Sequence, residues 1–375
     1  MLKQVQVVAL VLVALAVSVT PVLAATSYPL KPGDDVIQDA LDYLASQQAG
    51  DGSIGSYSDS AWACIAIAAA GEDPDDWDAG GPSLVDYLAA GHPDVTGEFN
   101  MGTYLARMVL AAVAAGEDPG AFGSWSGSNA GVSITNGDYL GALWSLFDGD
   151  QFLQDLTGDP DSAETLNDDF WGLRAVIAAG AASSSSEVRA VASFIASFQE
   201  SDGGWTWGTP AHSWYSPDSS DPDNTAAAIV ALGLAGQASS QAVQDGLEFL
   251  HDNQDGSGGF VSLWTGVNVE STAWAVDAIG MSRQNPAGMQ WSPDGDSPIE
   301  YLLGVQQANG SFEDSARATA DAICALLGRH YRPAPVSVGG EAFPPDKSSV
   351  LAVPLAACAG GALLAAFILR RKTAV

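Results

Sequence analysis

The chain has 375 residues, 47% of them hydrophobic, with three Cys and 45 acidic against 13 basic residues, a formal net charge of −32. So large an acidic surplus excludes a nucleic-acid binder and a binder of anionic lipid surfaces, because the field of the protein repels both and attracts cations. Three Cys exclude a disulfide-framed fold, and the length suits either two domains or one closed repeat array.

Residues 1–25 read as a secretory signal peptide: Lys3 precedes an apolar run over residues 5–19, and Val22, Leu23 and Ala24 offer a small-residue cleavage site. A repeating unit then begins. Residues 43–71 run from Gln48 through the turn of Asp51 and Gly52 to an acid at Asp59 and an Ala-rich apolar stretch that stops at Gly71. Residues 87–116 keep two helical stretches but lose the Gln and the Asp-Gly turn. A long insertion over residues 117–167 follows, which long-loop statistics mark as a candidate lid. The unit behind it, residues 167–180, keeps only its second helix, with Asp168 and Trp171.

The fullest copy spans residues 198–236. It gives Gln199, the turn Asp202, Gly203, Gly204 and Trp205, a loop over residues 206–220, then Asp221 to Thr225 and an Ala-rich helix ending at Gly233 or Gly236. The loop carries Trp207, His212, Trp214 and Tyr215, too aromatic for a plain connector. Two more copies follow: residues 249–280 with Gln254, Glu270 and Trp274, and residues 301–328 with Gln307, Asp314 and Arg317. Beyond them come a Pro/Gly-rich stalk (332–349), an uncharged apolar run (350–369) of about the 20 residues a membrane-spanning helix needs, and a basic tail (370–375) that belongs in the cytoplasm. The expected topology is a cell-surface domain over residues 26–331, held in the membrane by one C-terminal helix. Nine basic residues against 45 acidic ones leave the whole stretch between the signal peptide and the membrane run, stalk included, at a formal −36.

Each unit predicts two helices. The first is amphipathic, as with Val243, Leu247 and Leu250; the second is apolar nearly all round, as a helix packed on several sides requires. Six such hairpins predict an all-α (α/α)6 toroid with apolar helices inside and amphipathic ones outside. A linear solenoid is the rival, but it needs polar capping units, and here the first and last copies are among the most faithful. Cys64 and Cys324 fall on inner helices of the first and sixth units, neighbours if the ring closes; a bridge and two buried thiols are both open readings.

Gln199 with Asp202, Gly203, Gly204 and Trp205, together with the copies around Gln48, Gln254 and Gln307, resembles the repeats of the prenyltransferase and squalene-cyclase superfamily. The resemblance covers residues 34–329 and implies the α/α toroid. For function it implies several outcomes, because related toroids serve class II terpene cyclases, prenyltransferase subunits, thioester domains and cobalamin carriers. Asp221, Pro222, Asp223, Asn224, Thr225 and Ala226 resemble the cyclase motif Asp-x-Asp-Asp-Thr-Ala, which places the proton donor at Asp223 beside Asp221. Asn224 departs from it where the final Asp belongs. A plainer reading makes Asp59, Asp168, Asp221, Asp223, Glu270 and Asp314 helix caps at the inner-helix starts. One domain where cyclases of the family set the acid between two, and export from the cell, both weigh against a cyclase.

Ring closure would gather the inner-helix starts at one mouth. The candidate ligand-binding residues there are Asp59, Trp62, Trp171, Trp207, Trp214 and Tyr215, with Glu270, Trp274, Asp314 and Arg317. Aromatic rings beside carboxylates suit a cation, a sugar or a flat cofactor. No zinc site is expected, since the four His form no local pair; the acidic turns are compatible with calcium but lack EF-hand spacing. The leading expectation is a surface-anchored toroid, without catalysis, that binds a small molecule (a corrinoid, a sugar or an isoprenoid) or a surface protein. The alternatives are an exported terpenoid cyclase or prenyl-transferring enzyme using Asp223 as general acid, and a structural surface-layer module.

Overall fold

The computed structural model describes residues 27–92, 95, 100–217, 219–262, 265–293 and 295–329. The signal peptide, the stalk, the membrane run and the basic tail expected from the sequence lie outside the described residues. Among those described, no helix is long and apolar enough to cross a membrane.

Twelve α-helices account for the architecture among the described residues: α1 (Asp35–Ser46), α2 (Tyr57–Ala70), α3 (Leu84–Ala89), α4 (Met101–Ala114), α5 (Tyr139–Trp144), α6 (Asn167–Ala178), α7 (Ser186–Ser197), α8 (Pro222–Leu232), α9 (Gln241–Asp252), α10 (Val269–Met281), α11 (Pro298–Val305) and α12 (Ala316–Leu326). The even-numbered helices pack side by side in the order α2, α4, α6, α8, α10, α12 and back to α2, so the inner ring is closed. The odd-numbered helices lie outside it; α1, for example, rests on both α12 and α2.

Local chemistry explains both layers. In α9 the buried residues are Val243, Gly246, Leu247, Phe249 and Leu250, one stripe at helical spacing. In α8 every side chain from Thr225 to Leu232 is buried, and Pro222 occupies the first turn, where its missing N–H costs nothing. Ser56 and Asp59 form a reciprocal capping box at the start of α2, which ends at left-handed Gly71.

The repeated motif is a fastening between units. The side-chain amide of Gln48 donates to the carbonyls of Gly52 and Trp77, at 3.2 and 2.7 Å. Gln199 does the same to Gly203 and Ala242, at 2.7 and 2.8 Å, and Gln254 to Gly258 and Trp291, both at 2.9 Å. In the sixth unit the role falls to Gln306, which bonds Gly310 and, at 2.8 Å, the carbonyl of Val36. That bond ties the last unit to the first. The sequence alignment of the copies had put Gln307 there; the chain leaves α11 one residue earlier, and Gln307 is exposed.

The turn Gly is required for the same contact. Gly52, Gly203, Gly258 and Gly310 all have φ between 85 and 91°, and a Cβ at any of them would meet a carbonyl oxygen of the next unit at 2.0 to 2.6 Å. After the turn, the N–H groups of Trp205, Phe260 and Phe312 donate to the hydroxyls of Thr225, Thr272 and Thr319, at 2.9 to 3.0 Å. All three aromatics are fully buried. The Thr that recurs at the start of the inner helices therefore satisfies a donor that burial would otherwise leave unpaired.

The insertion over residues 117–167 is not a bare loop. It contains the outer helix of the third unit, α5, a small hairpin pairing β1 (Gly127–Asn129) with β2 (Val132–Ile134), and a short 3-10 turn at Pro160–Ala163. A second hairpin, β3 (Phe260–Ser262) with β4 (Gly266–Asn268), leads into α10. Cys64 and Cys324 are buried free thiols on adjacent inner helices, so the bridge is not made.

Candidate functional site

All six inner helices send side chains into one hollow at the rim where they start. It measures about 740 Å³. Trp62 enters from α2, Thr103 and Arg107 from α4, Trp171 from α6, Asp223 and Asn224 from α8, Trp274 from α10 and Arg317 from α12. From the loop over residues 206–220 come Trp207 and Trp214, the latter 71% exposed at the rim.

Three indoles form the floor. Trp171 meets Trp62 on one side and Trp274 on the other, both edge-to-face at 5.2 Å between ring centroids. Cations hold them in place: the Arg317 guanidinium lies 4.0 Å over Trp62, and that of Arg174 lies 4.4 Å over Trp171. Each cation is in turn held by a buried acid. Arg174 pairs with Asp277 at 3.0 Å and Arg317 with Asp321 at 2.7 Å.

The acids expected to cap the inner helices divide into different roles. At α8 the cap is Asp221, whose carboxylate accepts from the main-chain N–H and the side-chain amide of Asn224, at 2.9 and 2.6 Å. Asp223 caps nothing. Its carboxyl projects into the hollow, with Oδ1 buried and without a hydrogen-bond partner. Burial raises its pKa above the ordinary carboxylate value; the Ser271 and Ser262 hydroxyls offset part of the rise. Burial also pushes Asp221 up to about 6 against the lowering effect of Asn224. Asp168, on α6, is fully buried against Gly102, and its helix has no side-chain cap.

Asp223 and Trp274 also border an annex of about 420 Å³, reached by Glu270 and Glu313 and by the polar side chains of Ser262, Thr265, Asn268 and Ser271. Glu270 stands at about 7, raised by burial first and then by Asp321, with Arg317 working in the opposite direction.

The structure thus brings Trp62, Trp171, Trp207, Trp214, Asp221, Asp223, Trp274 and Arg317 to the hollow and Glu270 to the annex. Three residues expected at the mouth border neither. Asp59 is committed to its capping box. Tyr215 points its hydroxyl at Glu200, 2.8 Å away. Asp314 is exposed in a left-handed turn with Asn309 and Ser311. Its neighbour Glu313 takes the place at the annex, accepting from the N–H of Val269 at 2.9 Å. Thr103 and Arg107 went unnoticed because the second unit lacks the motif that aligns the others; their place just after the start of an inner helix was the available signal.

The two segments read as lids are laced together. The N–H of Thr209 donates to the Glu164 carbonyl and that of Ser213 to Asp161, and Leu166 donates to the Trp207 carbonyl. Among the described residues, no group of three or more His, Cys, Asp or Glu side chains converges as metal ligands.

Residues 168–269 match the model of the squalene-hopene cyclase C-terminal domain. Among solved structures, the chain is similar to an Arg-to-Ala variant of the type II terpene cyclase MstE from Scytonema in complex with geranylgeranyl dihydroxybenzoate. The identity is 13% and the TM-score 0.53, over 79% of this chain and 96% of that one. It is likewise similar to apo MstE, at 14% identity and TM-score 0.51, over 78% and 96%. No curated protein matches in sequence. The repeats and the toroid are those of the prenyltransferase and squalene-cyclase superfamily, and at these identities the likeness is one of fold. Because nearly the whole MstE chain is covered, a type II terpene cyclase need not carry a second helical domain. The single domain of this chain is therefore no argument against that chemistry.

Proposed function

We propose that the chain binds a small ligand in the tryptophan-floored hollow and that Asp223 is the polar group the ligand meets. One observation carries this reading: Asp221 takes the helix cap, which leaves the Asp223 carboxyl aimed into an open space of about 740 Å³ with one buried oxygen unpartnered. A buried acceptor without a partner is costly, on the order of 1–3 kcal/mol. A ligand hydroxyl or amine that hydrogen-bonds the Asp223 carboxyl from the hollow recovers part of its desolvation cost on binding. Intrinsic tryptophan fluorescence of the purified chain, titrated with a corrinoid, an oligosaccharide and a prenyl alcohol, tests the reading. Saturable quenching by one of them supports it, and an unresponsive hollow with all three refutes it.

A second reading is favoured by the acid itself. Asp223 occupies the position of the proton donor in the cyclase motif, and its raised pKa keeps the carboxyl protonated into a higher pH range, as a general acid needs. In that reading the protonated carboxyl adds its proton to an alkene or epoxide, and the indole faces stabilise the cation that forms. Asn224, tied to Asp221, cannot supply the second carboxylate of the motif. Turnover of a geranylgeranyl substrate that disappears in Asp223→Asn would establish this second reading over simple binding. The exported, membrane-anchored topology is proposed from residues 1–25 and 350–369, and protease accessibility on intact cells tests it.

A further inference from the structure

The chemistry of the walls narrows the ligand class, an inference that rests on the ligand-binding reading above. Among the described residues the hollow is walled by five indoles and nine polar or charged side chains, without a single Leu, Ile, Val, Met or Phe. The annex repeats the pattern, with Val267 its one aliphatic residue. Hydrocarbon ligands are held in predominantly apolar pockets with a few polar groups fixing orientation. Here the apolar part of the wall is aromatic alone, and polar side chains stand between the indoles. A prenyl chain lying in this space would strip water from Asp223, Asn167, Asn224 and Thr103 and return no hydrogen bonds, at a cost for each group buried unpaired.

We infer that the ligand is an uncharged oligosaccharide. A pyranose offers what these walls ask for, a patch of C–H bonds on a ring face and hydroxyls around its edge. The faces lie against Trp274 and the exposed Trp214. The edge hydroxyls donate to the Asp223 carboxyl where it borders the hollow and accept from the amides of Asn167 and Asn224. Asp223 and Trp274 border both chambers, so consecutive rings pass from the hollow into the annex, where Asn268 and Ser262 line the way to Glu270 and Glu313. Charge selects against sulfated and uronic sugars, since three acids border the annex and the whole surface is acidic.

The test is calorimetric titration of the purified full chain in detergent at high salt. The probes are neutral malto-, cello-, manno- and chito-oligosaccharides, with geranylgeraniol in the same micelles as the rival. Saturable binding of one neutral series is expected. Trp274→Ala should weaken it roughly tenfold or more, as loss of a buried aromatic anchor does. Trp274→Phe should recover part of the loss, and the near-isosteric Asp223→Asn, which keeps an acceptor but loses the charge, should weaken it less. Saturable binding of geranylgeraniol alone would overturn the saccharide inference and leave the ligand-binding reading standing. Failure of every probe, with the chain folded by circular dichroism, would overturn both.

Discussion

The carboxylate of Asp221 holds two nitrogens of one residue, the main-chain N–H and the side-chain amide of Asn224, at 2.9 and 2.6 Å. That clasp fixes the first turn of α8 and frees the acid between them. Asp221→Ala should therefore lower stability by about 1 kcal/mol, the usual loss for a helix cap. Asp223→Asn should leave the melting temperature unchanged or raise it, because it removes a desolvated carboxyl, while weakening ligand binding. Melting curves of the two variants, run beside the titrations, separate the roles. A stability loss in Asp223→Asn equal to that in Asp221→Ala would return Asp223 to structure alone.

Beneath the indoles, Arg174 and Asp277 are both almost wholly buried. Asp277→Ala should cost roughly 3–5 kcal/mol, since the guanidinium keeps its burial and loses its carboxylate. Replacing the pair together, Arg174→Met with Asp277→Leu, should cost far less. Urea denaturation of the single and double variants measures the difference, and equal losses in both would contradict the pairing.

Stability should fall as pH rises through neutrality. Glu270 stands at about 7 and Asp221 at about 6, while burial holds Asp168 and Asp169 well above the carboxylate range. A carboxyl with a higher pKa in the folded than in the unfolded chain binds its proton more tightly when folded. Its contribution is complete below the unfolded value near 4 and is lost as pH climbs through the folded one. The surface acids Asp51, Asp161, Glu187 and Asp255, lowered chiefly by hydrogen bonds, act in the opposite direction and only below the ordinary range. Calorimetry at constant ionic strength should find a lower melting temperature at pH 8 than at pH 5, with a shallower slope in Glu270→Gln. A temperature that rises across that interval would exclude the assignment.

The fastening glutamines offer a paired control. Gln306→Ala removes two bonds and leaves carbonyls of Gly310 and Val36 without that donor, for a loss on the order of 1–3 kcal/mol. Gln307→Ala, one residue away and exposed, should change little. Similar melting temperatures for the two variants would contradict the assignment.

Much of this architecture could be read in advance because it repeats. Gln, Asp-Gly and Thr recur at fixed places for separate physical reasons, a cross-unit bond, a left-handed turn under a carbonyl and a buried donor to satisfy. Their recurrence announced six hairpins and the rim where the inner helices start. Side-chain direction was not legible at the level of single residues. Asp59 and Asp223 stand alike in the sequence, near the start of an inner helix, yet one closes a capping box and the other faces the hollow. The difference lies in what precedes them: Ser56 can reciprocate with Asp59, whereas Asp221 takes the cap of α8 for itself. Glu313 and Asp314 were confused for a similar reason, since a left-handed turn sets which of two adjacent acids points inward.

The bond from Gln306 to Val36 has a bearing on how the molecule comes apart. An open stack of hairpins sheds its outermost members first, each departure a small event. Here every hairpin is flanked on both sides, so there is no loose margin from which melting can spread, and the first breach anywhere exposes two neighbours together. Such a hoop resists mild stress as a whole and, once opened, has little reason to stop partway.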